Sequence, residues 1–194
     1  MKLPLTQEQI MIREMVHEFS QSEIEPVAQE YNLKGEFPAA IVKKLGKLGL
    51  YGMMVPEIYG GSGAGAVSYS LALQEIAYAC ASVAVTLSVT NLTTEPLLAF
   101  GTEEQKQRFL APIASGEYIG AFALTEPDAG SDPSGLKTAA VKKGDRYILN
   151  GAKQFITNGA YAGMFILMAR TSPDKNGMTA FIIPAGTKGL IIGK

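Results

Sequence analysis

The sequence predicts an α+β fold, with an N-terminal α-helical domain over residues 1–117 followed by a largely antiparallel β-domain over residues 118–194, an incomplete barrel or sandwich. Hydrophobic residues recur at helical spacing through the first part of the chain. From Tyr118 they alternate with period two, as they do in strands. Later strand-like runs are separated by turn residues such as Lys143-Gly144-Asp145. Because helices precede strands instead of alternating with them, the two kinds of element are expected to form separate layers or domains.

The composition is that of a globular protein, and it excludes several functions. The 194 residues are 47% hydrophobic and 18% charged, and the net charge is -1 with no basic run, which excludes a nucleic-acid surface. The chain has one cysteine and one histidine, so a structural zinc site is excluded as well. Cys80 lies in an apolar run and is expected to be a small buried residue, whereas His17 is expected at the surface.

The start of the chain has neither the apolar core of a signal peptide nor the arginine-rich character of a transit peptide. The longest apolar stretch, residues 76–89, is interrupted by polar residues and is shorter than a membrane span. We therefore expect a cytoplasmic protein without a membrane span.

The first two helices are predicted from their end signals and their apolar spacing. Thr6 and Gln9 form a capping box, and the helix that follows is expected to fade at residues 26–31. A second helix opens at Pro38, which suits a first turn, and closes at Gly49, which suits a C-terminal cap. The apolar stripe of the first helix contains Ile10, Val16, Phe19 and Ile24.

The next helical region is more apolar. Residues 68–89 predict one long helix that is apolar on all sides and therefore central in its bundle. A polar patch follows and ends before Pro96, and residues 97–100 predict a short helical turn. Thr102, followed by acidic residues, predicts the start of a last helix that runs to Gly116.

The strands are predicted from alternation and turn signals. Residues 138–141 and 146–150 flank the turn at Gly144 and predict a hairpin. Further strands are predicted at residues 118–123, 154–157, 164–169 and 179–183. The chain stops within strand-like sequence, so we expect either a fragment or a chain that requires a partner.

Residues 125–135, between the last predicted helix and the predicted hairpin, are rich in glycines and in side chains with hydroxyl or carboxylate groups. These residues are Thr125, Glu126, Asp128, Gly130, Ser131, Asp132, Ser134 and Gly135. Such a loop has free backbone N–H groups and little bulk, so it can wrap a planar polar ligand or a phosphate. A surface loop with ordinary turn chemistry is the alternative.

The segment ALTEPDAGSD at residues 123–132, followed by Gly135, Asn150-Gly151, Lys153 and Phe155-Ile156-Thr157-Asn158, resembles the acyl-CoA dehydrogenase family. Supporting matches cover nearly the whole chain. The resemblance implies an N-terminal helical domain, a central β-domain that binds FAD, and a C-terminal helical domain that is missing here.

The reaction that the resemblance implies is α,β-dehydrogenation of an acyl-CoA thioester in fatty acid metabolism, with the β-hydrogen leaving as hydride to the flavin. The implied partners are the acyl-CoA substrate, electron-transfer flavoprotein as acceptor, and further copies in a homotetramer. The catalytic carboxylate is expected in the missing domain, so this segment alone is expected to be inactive. An acyl-CoA oxidase, a flavin monooxygenase of the same fold, and a non-catalytic acyl-CoA-binding chain are the alternatives.

The resemblance also implies roles for individual residues. The residues expected to line or follow the flavin are Phe122, Leu124, Thr125, Gly130, Ser131, Phe155, Ile156 and Thr157. Contact with the CoA part of the substrate is expected from Ser131, Lys175 and Asn176. Phe155 stands where tryptophan is common in the family, and Asp128 replaces a more usual glycine. Residues 92–98 are candidates for the end of the acyl pocket. Because Pro127 fixes the turn, Glu126 is expected to anchor the loop and not to act as a base.

Overall fold

Helices form the first part of the chain and a sheet forms the second in the computed structural model, which describes residues 4–174 and 177–193. The chain divides into two compact units between Tyr118 and Ile119. The helices of the first unit are α1 (Gln7–Phe19), α2 (Glu25–Lys34), α3 (Ala39–Lys47), α4 (Gly65–Ala79), α5 (Ala81–Phe100) and α6 (Glu103–Ala114). Short 3₁₀ turns at Leu50–Gly52 and Glu57–Tyr59 lie between α3 and α4.

The capping box that the sequence predicts at the first helix is confirmed. The Gln9 backbone N–H donates to the Thr6 hydroxyl at 3.2 Å, and the Thr6 N–H donates to the Gln9 side chain at 3.0 Å. The expected fading of this helix at residues 26–31 is wrong. A wide π-turn at Ser20–Ile24 connects α1 to α2, which ends at the left-handed Gly35. Pro26 lies in the first turn of α2, where the missing N–H does no harm.

The long helix predicted over residues 68–89 is two helices. Cys80 has an extended backbone, with φ -158° and ψ 110°, and it ends α4 and begins α5. The break expected before Pro96 is absent, because α5 continues through Pro96 to Phe100. Its threonine hydroxyls donate to carbonyls of the preceding turn, from Thr93 to Thr90 at 2.7 Å and from Thr94 to Asn91 at 2.8 Å. Burial of this part of the helix outweighs the poor helix propensity of proline.

Helix α5 is central to the helical unit, as the sequence predicts for this region, and it packs against α3, α4 and α6. Its buried face contains Val83 and Leu87 together with polar residues such as Thr90 and Asn91. By length and composition this helix is also apolar enough to cross a membrane, but half of it is buried in the protein, as in the core helix of any large bundle. It is therefore weak evidence for a membrane span.

The second unit is a five-stranded mixed sheet. Its strands are β1 (Ile119–Ala123), β2 (Ala139–Lys143), β3 (Arg146–Asn150), β4 (Ala162–Arg170) and β5 (Met178–Pro184). The antiparallel pairs β2–β3 and β4–β5 contain most of the paired residues, while β1 runs parallel to β4, and β2 meets the end of β4 at Ala139 and Arg170. The α+β prediction is confirmed, and the hairpin around Gly144 forms as predicted.

The strand predicted at residues 154–157 is absent, because this segment has no regular structure. Phe155 has φ 57° and Asn158 has φ 67°, both in the left-handed region, which a strand cannot accommodate. The half-buried Ile156 packs against the apolar cluster of the sheet unit, which contains Ala121, Ala162 and Phe165. The alternation of residue types in this segment therefore reflects one half-buried side chain, Ile156, and not a strand.

Candidate functional site

Two segments of the sheet unit that the sequence singled out lie side by side. We call residues 124–136 the motif loop and residues 153–158 the wall segment. The backbone N–H of Gln154 donates to the Thr125 carbonyl at 2.9 Å, which joins the two segments directly. At the other end of the wall segment, the Asn158 side chain donates to the Gly120 carbonyl of β1 at 3.0 Å. Both ends of the wall segment are therefore fixed to neighbouring backbone.

Glu126 is the centre of a buried ionic cluster. Its carboxylate accepts from the backbone N–H groups of Lys137 at 2.5 Å and Thr138 at 3.0 Å, and from the Lys153 ammonium at 2.8 Å. The side chains of Glu126 and Lys153 are only 6% and 8% exposed. Lys153 also donates to the Leu124 carbonyl at 2.9 Å. These bonds agree with the expectation that Glu126 anchors the loop.

The pKa of Glu126 reflects two opposing effects. Burial raises it, but the hydrogen bonds from the Lys137 and Thr138 backbones and from Lys153 stabilise the charged form and prevail, so the pKa falls from 4.5 to about 2. Near neutral pH the carboxylate is ionised and occupied by its three donors. A group held in this way is a poor proton acceptor, so Glu126 does not fit the role of a general base.

Because of this shift in the pKa of Glu126, the stability of the protein is expected to vary with pH in the acid range. Because the pKa of Glu126 is lower in the folded than in the unfolded chain, its contribution to stability is complete above 4.5 and is lost as the pH falls towards about 2. We expect this group to contribute about 3 kcal/mol over that range. Urea denaturation at several pH values should show a steeper decline for the parent protein than for Glu126→Gln. Parallel profiles would contradict the assignment.

The other predicted site residues differ in their exposure. Five of them are half-buried in the sheet unit: Phe122, Leu124, Thr125, Ile156 and Thr157. The carbonyl of Thr125 accepts from the Gln154 backbone N–H. Gly130 and Ser131 lie further along the motif loop and are exposed. A Cβ added at Gly130 would meet nothing within 4 Å, so this stretch of backbone is open to an approaching group. Lys175 and Asn176 lie outside the described residues.

Phe155 is the most unusual residue of the site. Its side chain is 84% exposed, and its left-handed backbone is unfavourable for a bulky residue. The ring does not pack in the interior, and the backbone that carries it is strained, so folding alone does not explain a phenylalanine here. We therefore regard it as a candidate for binding a ligand.

Two cations that organise this region, Lys153 and Arg170, have no role that the sequence predicts. In the sequence, Lys153 stands out only as part of the motif that begins at Asn150-Gly151. Arg170, at the end of β4, donates to the carbonyls of Ser134 at 2.7 Å, Leu136 at 3.2 Å and Asp174 at 2.8 Å. The only signal in the sequence was a charged residue at the end of an apolar strand.

The helical unit contains the predicted end of the acyl pocket, residues 92–98. Leu97 is buried in the core of that unit and cannot line an open pocket there, whereas Leu92 is 46% exposed and stays a candidate. A cavity of about 190 Å³ also lies in this unit, with Ile24, Tyr31, Cys80 and Val83 among its lining residues. Within the described parts of the chain, no group of histidine, cysteine and acidic side chains could hold a metal ion.

The chain matches known protein families over nearly its whole length. Residues 6–117 match a family model described as the N-terminal domain of acyl-CoA dehydrogenase, and residues 121–194 match one described as its middle domain. An acyl-CoA dehydrogenase of Bacillus subtilis (strain 168) is 50% identical over 193 residues, which cover 98% of this chain and 51% of the relative.

Solved structures are similar as well. Butyryl-CoA dehydrogenase from Megasphaera elsdenii matches 97% of this chain and 51% of its own, with a TM-score of 0.91 and 42% identity. A glutaryl-CoA dehydrogenase from Mycobacterium smegmatis in complex with FADH2 matches 95% of this chain and 47% of its own, with a TM-score of 0.89 and 35% identity. The chain spans about half the length of the relatives it matches.

Proposed function

Because this chain belongs to the acyl-CoA dehydrogenase family, we propose that the protein catalyses the FAD-dependent α,β-dehydrogenation of an acyl-CoA thioester. One observation carries the proposal beyond family membership. The two segments of the family motif, which are almost thirty residues apart, are joined by the bond from Gln154 to Thr125 and by the Lys153–Glu126 ion pair. The similarity to a glutaryl-CoA dehydrogenase in complex with FADH2 supports FAD as the cofactor.

The residues of the two segments fit a flavin. Thr125 and Thr157 are half-buried hydroxyls that can donate to or accept from a polar ring edge without adding charge. The exposed ring of Phe155 provides an aromatic face for stacking. The open backbone at Gly130 and the exposed hydroxyl of Ser131 can approach a polar cofactor arm closely. FAD supplies the hydride acceptor of the reaction when it is bound.

The chain's own residues would bind and orient the reactants. We propose that Phe122, Leu124, Thr125 and the wall residues Phe155, Ile156 and Thr157 hold the flavin, and that Ser131 also contacts CoA. Contact of Lys175 and Asn176 with CoA is part of the proposal and is supported by the family resemblance. Since the carboxylate of Glu126 is occupied by three donors, we assign proton abstraction to a carboxylate outside this chain. The isolated segment would accordingly be inactive.

We also propose an electron acceptor, an assembly and a location for the protein, the first two as implied by the family resemblance. Electron-transfer flavoprotein would accept the electrons, four copies would assemble, and the protein would act in the cytoplasm.

Anaerobic titration of the FAD-loaded protein with butyryl-CoA tests the proposed reaction. The protein expressed from its complete reading frame should show bleaching of the flavin absorption bands, whereas the 194-residue chain should bind FAD without bleaching. Rapid reoxidation by air would favour an oxidase instead. Bleaching in the 194-residue chain that Glu126→Gln abolishes would make Glu126 the base and refute our assignment.

A further inference from the structure

We propose that Lys153 is a positioning residue for the cofactor, because it fixes the spacing between the motif loop and the wall segment. This inference rests on the proposed function, which places a flavin against both segments. Lys153 belongs to the wall segment, yet its ammonium group donates to the Leu124 carbonyl at 2.9 Å and to the Glu126 carboxylate at 2.8 Å, both in the motif loop.

The contacts of Lys153 form part of a continuous joint. Its neighbour Gln154 donates through its backbone N–H to the carbonyl of Thr125, at 2.9 Å. Two consecutive residues of the wall segment therefore hold three consecutive residues of the motif loop, Leu124, Thr125 and Glu126. This joint replaces the regular strand pairing that the segment lacks, and it determines how far apart Thr125 and the wall residues lie.

The joint extends to a third segment through Glu126. The carboxylate that binds Lys153 also accepts the backbone N–H groups of Lys137 and Thr138, which directly precede β2. Because the side chains of the ion pair are 6% and 8% exposed, water screens the attraction little. One ammonium group thus ties the wall segment to the motif loop, and through Glu126 to the start of β2.

The residue whose placement depends most on this joint is Phe155. Its ring is exposed, so no core packing holds it, and its backbone is in the left-handed region. Its position is set by Gln154 on one side and by Asn158, bonded to Gly120, on the other. If Lys153 is removed, the fixed end beside Gln154 loosens and the proposed flavin-stacking ring loses its defined position.

The test compares Lys153→Met with the double variant Glu126→Gln/Lys153→Met. The single variant leaves a buried carboxylate without its cation, whereas the double variant leaves no buried charge. Lys142→Met, at an exposed lysine of β2, is the matched control. The measurements are FAD affinity by fluorescence titration, the midpoint of urea denaturation, and hydrogen exchange at the Gln154 amide.

We expect Lys153→Met to weaken FAD binding about tenfold or more, because small displacements of positioning groups have large effects on binding. Exchange at the Gln154 amide should accelerate as well. The double variant should recover the denaturation midpoint but keep both defects, since the bond to Leu124 is still lost. Lys142→Met should change none of these quantities.

Two results would overturn the inference. One is unchanged FAD affinity and unchanged Gln154 exchange in Lys153→Met. The other is a double variant that recovers both along with its stability, because the lysine would then only balance charge. If the parent protein binds no FAD, the proposed function fails, and Gln154 exchange alone decides whether Lys153 holds the two segments together.

Discussion

Replacing Glu126 by glutamine is expected to lower the free energy of unfolding by about 3 kcal/mol, because it leaves the Lys153 ammonium buried without a counter-charge. The glutamine oxygen can still accept one or two of the three hydrogen bonds, but its NH2 group faces a donor in either orientation. It meets the Lys137 N–H in one orientation, and the Thr138 N–H and the Lys153 ammonium in the other. Urea denaturation at neutral pH measures the loss.

A matched control for Glu126→Gln is available in the same loop. Asp128 forms an ion pair with Lys137 at 2.7 Å, but both side chains are more than two-thirds exposed. Asp128→Asn should therefore change the stability by less than about 1 kcal/mol. If both variants lost a similar amount of unfolding free energy, the burial of the Glu126 ion pair would not account for its contribution to stability.

Replacing Phe155 by glycine is expected to change stability and cofactor binding in opposite directions. Glycine adopts a left-handed backbone without strain, and the Phe155 ring is 84% exposed, so the variant loses no core packing. We expect the folded state to become about 1 kcal/mol more stable. Since the stacking surface is lost, we expect FAD to bind about tenfold more weakly. Urea denaturation of the FAD-free protein and fluorescence titration with FAD measure the two quantities.

Phe155→Trp separates the two effects of the glycine variant. Tryptophan keeps an aromatic face and has the same backbone preference as phenylalanine, so both stability and FAD affinity should stay close to those of the parent. A glycine variant that is less stable than the parent would show that the left-handed backbone is not strained. A glycine variant with unchanged FAD affinity would remove Phe155 from the cofactor site.

Features that depend on neighbouring residues were predictable from the sequence. The capping box at Thr6 and the helix start at Thr102 form as expected, because each depends on residues no more than three positions apart. The hairpin around Gly144 is equally local. The corner at Cys80 and the passage of α5 through Pro96 were not predictable, because packing in the helical unit determines them.

The candidate site follows the same rule. The motif residues could be named from the sequence, but the wall segment was mistaken for a strand because its alternation hides the left-handed Phe155. The role of Lys153 could not be predicted, since its partners Leu124 and Glu126 lie 29 and 27 positions away. Glu126 was correctly expected to anchor the loop, but only the structure identifies the three donors that it binds.

The corner between α4 and α5 also has a practical use. Cys80 is the only cysteine of the chain, and it is the single extended residue between two helices. A thiol-directed spin label or fluorophore would attach there without any mutation, one residue away from each helix. Because the side chain is half-buried, the rate of labelling would report how often this corner opens. The protein thus has a built-in reporter for motion within its helical unit.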